Sequence, residues 1–221
     1  MISALMRGDL KTALALLIAV MLSMSIHEMA HGLVSYWFGD PTAKIRGRLS
    51  LNPFAHIDWA GLVCLLFFGF GWAKPVPIDP SYYKDQKAGI IWTSFAGPVA
   101  NFLLSFVCLF IYMLLSVFAS SFAQSGFGSL IIEILNDTAV ISAGFGIFNL
   151  IPIPPLDGAK IFWAFLPDRD YYRMMAGSHW TTLIFIFLIA SGVLNQPLGM
   201  MRQTLLNWML QACAAIIGLF V

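Results

Sequence analysis

The chain is 221 residues long, 59% hydrophobic and only 10% charged, with a mean hydropathy of +0.82 and a formal net charge of +1. Soluble domains run near 25% charged, so these values exclude an ordinary soluble fold and point to an integral membrane protein with the lipid bilayer as a partner. No basic stripe or RNA-binding motif accompanies the near-neutral charge, which sets nucleic acid aside; Cys64, Cys108 and Cys213 lie far apart in apolar segments and suggest neither a disulfide framework nor a cysteine metal site.

Crossing roughly 30 Å of hydrocarbon as a helix takes about 20 charge-poor residues. The first such run extends from Thr12 to Phe38. Arg7 and Lys11 precede it as in a secretory signal, but the run continues through a motif that cleavage would discard, so it is expected to be a retained helix. That motif is His27-Glu28-Met29-Ala30-His31. Four residues apart on a helix, His27 and His31 share one face within reach of one cation, and Glu28 can project toward a water there; this spacing is a zinc metalloprotease signature. Apart from the Tyr36 phenol, these three are the only ionisable side chains between Lys11 and Asp40. Such groups are costly at membrane depth, so they are expected to pair or to line a cavity.

The run from Trp59 to Trp72 is too short to span, is flanked by Pro53 and Pro75, and is broken by Gly61, Gly69 and Gly71. It reads as a re-entrant hairpin. Ala88 to Phe118 is the second clear span and carries Gly97-Pro98-Val99-Ala100-Asn101, a small-xxx-polar packing face. After a connection from Ala119 to Ile132 comes Asp137 to Leu150, with an irregular continuation to Leu156. His179 to Leu194 is shorter and stops at the turn signal Asn195-Gln196-Pro197, and Thr204 to Val221 is the last run. The expected fold is an all-α polytopic membrane protein with about five transmembrane helices plus the re-entrant segment, six spans being the alternative. It forms one domain over residues 1–221, with a core at 12–167 and accessory C-terminal helices at 179–221.

Charge placement favours the hairpin topology slightly. With the segment from Trp59 to Trp72 returning to the side it left, only Arg7, Lys11 and Arg202 of the 12 Lys and Arg fall outside, as the positive-inside rule requires. The same topology brings His31 and Asp157 to similar depth near the inner face. This matters because a catalytic zinc takes three protein ligands and leaves a position for water. The candidate third ligand is Asp157 in Asn149-Leu150-Ile151-Pro152-Ile153-Pro154-Pro155-Leu156-Asp157-Gly158, where three prolines preclude a regular helix. Broken backbone at membrane depth is tolerated only against protein or a wet cavity.

The three motifs in this order, His27 to His31, Gly97 to Asn101 and Asn149 to Gly158, resemble the site-2 protease family of intramembrane zinc metalloproteases, most closely its short bacterial branch without extra domains. Gly47-Arg48-Leu49-Ser50-Leu51-Asn52-Pro53 and Gly71-Trp72-Ala73-Lys74-Pro75-Val76-Pro77 are similar to members of that branch, and the likeness covers roughly Ser25 to Pro167. The resemblance implies one zinc per chain held by His27, His31 and Asp157, with Glu28 as the catalytic carboxylate. It also implies that the re-entrant segment is a β-hairpin.

The implied activity is hydrolysis of peptide bonds within or near transmembrane segments of membrane-protein substrates, chiefly single-span ones. Zinc brings its water to a pKa of roughly 7, and Glu28 serves as general base. Asn101 and Asn149 are candidate amide donors to substrate or to a developing oxyanion. The hairpin from Val63 to Val76 is a candidate receiver of an unwound substrate strand, with Gly69 and Gly71 permitting close backbone approach. The expected location is the cell membrane, with the site toward the cytoplasmic side. A metal or proton-coupled transporter and a non-catalytic membrane-protein binder are the competing functions; no internal repeat supports the former and the intact Glu28 speaks against the latter. His56 reads as an interfacial loop residue, His179 as an interface anchor, and Glu133 and Asp137 as hydrated groups or a gate at the outer end of a helix.

Overall fold

The computed structural model describes residues 8–68, 71–167, 169, 171, 185 and 187–220. Three of its helices are long and apolar enough to cross a membrane: α1 at Leu10–Trp37, α3 at Gln86–Phe118 and α4 at Gly126–Asn149. A short α2 at Trp59–Phe68 lies between the first two, and α5 at Asp157–Trp163 and α6 at Asn195–Ile217 follow. Helices α1, α3 and α4 each begin at a side-chain cap that satisfies an otherwise orphaned amide. Asp9 accepts from Thr12 N, Asp85 from Ala88 N, and Ser125 from Gly128 N.

Helices α1, α3 and α4 pack together along small and polar residues spaced by four. On α1 the buried ridge is Ala15, Ala19, Ser23, His27, His31 and Ser35. On α3 it is Gly89, Thr93, Gly97, Asn101, Ser105 and Leu109; on α4 it includes Thr138, Ser142 and Gly146. Within lipid, association rests on close backbone packing and interhelical hydrogen bonds, which such ridges provide. A four-residue step turns about 40° around the axis, so the α1 ridge winds from one partner to the other. Its early part meets α4, where the hydroxyls of Ser23 and Ser142 lie 2.7 Å apart. Its later part meets α3, where His31 Nδ1 lies 2.6 Å from the Thr93 carbonyl.

Helix α4 starts earlier than the sequence suggests, for Glu133 and Asp137 do not mark its outer end. Glu133 is held inside the bundle's rim by Lys11, 3.3 Å away, and by the Thr12 hydroxyl, and Lys11 also donates to Ser129 Oγ. With its charge paired, the acidic residue interrupts nothing. The expected connection from Ala119 to Ile132 is therefore mostly a helical turn at Ser120–Ala123 and the first turns of α4.

The re-entrant region also differs from the expected β-hairpin. Its outgoing arm is helix α2, and no β-strand forms among the described residues; the sole strand-like pairing is an antiparallel bridge between Ile57 and Ala73. A continuous apolar run without alternation suits either a helix or a strand, and here the helix forms. Ten residues rise only about 15 Å, half of a bilayer core. The bridge fixes both ends of the segment side by side, with Lys74 N donating to His56 O at 2.9 Å. His56, in the turn that follows Pro53–Ala55, is 2% exposed, and its Nε2 lies 2.8 Å from the Ser50 carbonyl. Gly69 lies outside the described residues, as do residues 179–184 and 186 of the expected span from His179 to Leu194.

Helix α6 begins at Asn195, nine positions before the expected start at Thr204. The added turns bring in Asn195, Gln196, Arg202 and Gln203, and α6 does not join the three helices apolar enough to span. It still contributes to the core, burying Leu206 and Cys213 against Cys108, Leu109, Ala139 and Ala143.

Candidate metal centre

The winding ridge of α1 delivers His27 and His31 to the point where α1, α3 and α4 meet. Asp157 reaches the same point from the far end of the chain. After α4 stops at Asn149 the backbone makes tight turns through Pro152, Pro154 and Pro155, with a cis Pro154–Pro155 bond, before α5 starts at Asp157. Gly158 permits this reversal, because a side chain there would collide with the carbonyls of Leu150 and Ile151.

His27 Nε2, His31 Nε2 and Asp157 Oδ2 form a nearly equilateral triangle. The two imidazole nitrogens are 3.0 Å apart, and each lies 3.1 or 3.0 Å from the carboxylate oxygen. All three residues are buried. Two imidazole nitrogens facing each other at this distance require a proton or a cation between them. Zinc bonds of about 2.0–2.1 Å in a tetrahedron space the ligands by about 3.3 Å, a few tenths wider than this triangle, and two imidazoles with one carboxylate are a catalytic-zinc donor set. The residues therefore fit the ion. The second carboxylate oxygen, Asp157 Oδ1, is 3.4 Å from Lys160 Nζ.

His31 is oriented by its other nitrogen. A carbonyl only accepts, so Nδ1 donates its N–H to Thr93 O, and the neutral ring then presents its Nε2 lone pair to the metal position. Gly97 makes the crossing possible: a Cβ there would stand 2.5 Å from His31 Nε2 and 2.6 Å from His27 Cε1. The opposite side of His27 is closed by Phe145, whose ring centroid is 5.0 Å away.

Glu28 lies on the wall of a cavity of about 360 Å³ that also takes in the triangle, Val76, Tyr83, Asn149, Pro155 and Lys160. Its Oε2 accepts from the Val76 N–H at 2.8 Å. A second network runs away from the metal position: Tyr83 Oη lies 3.3 Å from Thr93 Oγ1 and 2.7 Å from Ser35 Oγ, which donates to Asp40 Oδ2 at 2.8 Å.

Of the residues singled out in the sequence, His27, Glu28, His31, Asp157 and Asn149 meet at this cavity, Asn149 with its Nδ2 tied to Phe145 O at 3.0 Å. Asn101 does not reach it. Its side chain is 0% exposed and sits behind His27, with Nδ2 3.2 Å from His27 Nδ1. Gly71 belongs to the return arm of the re-entrant segment but does not line the cavity. Thr93, Val76, Phe145 and Lys160 were not indicated by sequence. Thr93 and Val76 act through main-chain atoms, which leave no mark in residue type; Val76 has one faint signal, being the only residue between Pro75 and Pro77 with an N–H to give.

Comparison with known proteins agrees with this geometry. A profile of Peptidase family M50 matches residues 15–191. The chain is 33% identical over 184 residues to "Putative zinc metalloprotease YwhC" of Bacillus subtilis, covering 83% of this chain and 81% of that protein. It is 28% identical over 187 residues to the similarly named Rip2 of Mycolicibacterium smegmatis, covering 80% of this chain and 66% of Rip2. No solved structure gives a significant match. A profile match over most of the chain, joined to three long apolar helices and a buried histidine–carboxylate cluster, makes this membrane protein a member of peptidase family M50.

Proposed function

We propose that this chain is an intramembrane zinc endopeptidase of the site-2 protease type, cutting peptide bonds within or near the transmembrane segments of membrane proteins, chiefly single-span ones. The observation that carries this reading is the convergence of three buried ligand atoms on a cavity whose wall holds Glu28. The names "Putative zinc metalloprotease YwhC" and "Putative zinc metalloprotease Rip2" carried by the relatives support it.

His27, His31 and Asp157 would hold the ion. When bound, zinc supplies Lewis acidity toward a peptide carbonyl and lowers the pKa of water to about 7. Glu28, with Oε2 engaged by Val76, keeps Oε1 to take the proton from the attacking water and pass it to the leaving nitrogen. Asn149 and Lys160, both on the cavity wall, would bind a substrate carbonyl or a developing negative charge. His31 lies six residues before the end of α1, about 9 Å along the axis, so the site is shallow relative to one membrane face. The concentration of Lys and Arg in the loops on that side supports the cytoplasmic face of the cell membrane.

A substrate helix must unwind before its carbonyls are reachable, and the return arm beside Glu28, with Pro75 and Pro77 lacking N–H groups, suits an extended rather than a helical partner. Glu28→Gln tests the assignment. The variant is expected to keep one zinc per chain and to lose cleavage by 10²-fold or more, with uncut membrane-protein precursors accumulating in cells. Undiminished cleavage by Glu28→Gln would reject the role of Glu28; metal flux across proteoliposomes by that variant would indicate a transporter instead.

A further inference from the structure

We infer that Asn101 is a positioning residue for the metal centre: its side-chain carbonyl accepts the Nδ1 proton of His27 and thereby leaves the Nε2 lone pair for zinc. The inference rests on the proposed reading in one respect, that His27 binds zinc through Nε2.

Asn101 is fully buried on the α3 ridge, directly behind His27. In the structure its Nδ2 end faces His27 Nδ1 at 3.2 Å while Oδ1 is buried without any hydrogen-bond partner. The two ends of an amide have the same shape and are told apart by their partners. An NH2 group pointing at Nδ1 would need a lone pair there, which puts the ring proton on Nε2, the atom directed at His31 and Asp157. A neutral imidazole cannot offer a lone pair at both nitrogens. Zinc at Nε2 therefore requires an N–H at Nδ1, and that N–H requires an acceptor.

Within the described residues the only hydrogen-bond partner beside Nδ1 is the Asn101 amide. Rotating it by half a turn supplies the carbonyl, and no donor at the present Oδ1 position holds it back. The pairing then matches the other histidine, whose Nδ1 gives its proton to Thr93 O. Both imidazoles are set by α3, one by a main-chain carbonyl and one by a side-chain carbonyl, eight residues apart on one ridge. Packing alone does not demand an amide here, because Phe145 and the Gly97 crossing already confine the ring.

The test is zinc affinity of the full-length chain in detergent, measured by competition with a chromophoric chelator for the parent, Asn101→Leu, Asn101→Asp and His27→Ala. Removing such an outer partner weakens metal binding by about 10- to 100-fold. Asn101→Leu, close in volume and without an acceptor, is expected to fall in that range; Asn101→Asp, which keeps an acceptor oxygen, is expected to stay within about threefold of the parent or bind more tightly. Asn101→Leu binding zinc like the parent overturns the inference, as does an Asn101→Asp loss as large as that of Asn101→Leu. Should Asn101→Leu not fold, the Asp variant decides alone: parent-like affinity supports the carbonyl role, and a loss beyond tenfold rejects it. His27→Ala separates the two levels of argument, since parent-like zinc binding there removes the ligand assignment itself, whereas a large loss there with no effect of Asn101→Leu removes only the role given to Asn101.

Discussion

Glu28 Oε2 and the main-chain N–H of Val76 are joined by a hydrogen bond of 2.8 Å that ties the proposed general base on α1 to the return arm of the re-entrant segment. The arm is fastened nearby as well: Lys74 N donates to His56 O, and Arg48 Nη2 donates to Lys74 O at 2.6 Å. The carboxylate is thus oriented by a peptide group lying between two prolines.

Val76→Pro removes that donor while keeping the backbone extended. A hydrogen bond to a charged group contributes about 1.5–3 kcal/mol, so kcat is expected to fall at least tenfold with zinc content unchanged. Steady-state cleavage of a reconstituted substrate, read with metal analysis, checks this; full activity in the proline variant would mean that Glu28 does not depend on the arm.

Gly97→Ala places a methyl group against both imidazoles. Overpacking of this kind costs about 1–3 kcal/mol, and here it is expected to spread the ligand triangle. The variant should keep its helical content and lose most bound zinc together with activity. Stoichiometric zinc in purified Gly97→Ala would show that the crossing has room to spare.

Asp40 gives a pH dependence. Burial pushes its pKa up, but hydrogen bonds from Thr42, the Asp79 N–H and Ser35 outweigh burial and leave it below the ordinary value of 3.8. A carboxyl whose folded pKa lies below its unfolded one stabilises fully above the unfolded value, and that contribution is lost as pH falls through the folded one. Asp40→Asn is therefore expected to lower stability by about 1–3 kcal/mol at pH 7, with the gap to the parent closing below pH 3.8. Thermal unfolding of both proteins across acidic pH decides it; a gap that widens on acidification contradicts the sign.

Glu133→Gln addresses the outer rim. The Lys11–Glu133 pair is partly exposed, and such pairs contribute about 0–1 kcal/mol. Cleavage rates are expected to stay within twofold of the parent. A larger change, in either direction, would return Glu133 to consideration as a gate.

What the sequence made legible was local chemistry. The spacing of His27 and His31 places two ligands on one helix face whatever the rest of the chain does, and the proline-rich stretch before Asp157 announces broken backbone at depth. Asn101 stood out as part of a motif, yet its partner depends on the register between α1 and α3, which no single-chain periodicity reveals. The start of α4 was hidden because Glu133 looks like a boundary until Lys11 and Thr12 are placed beside it. Helix α2 was hidden for the opposite reason: ten apolar residues without alternation carry no period from which to choose a conformation.

Because Ile57 and Ala73 are clasped together, the segment between them leaves and rejoins the rest of the chain at one place, as a closed loop does. Lengthening a closed loop adds little strain to its anchor, about 0.6 kcal/mol per doubling. Insertions and deletions between positions 63 and 71, beyond the close approach of Gly61 to Trp72, should therefore be the variation that relatives tolerate most readily, leaving the zinc-side machinery undisturbed.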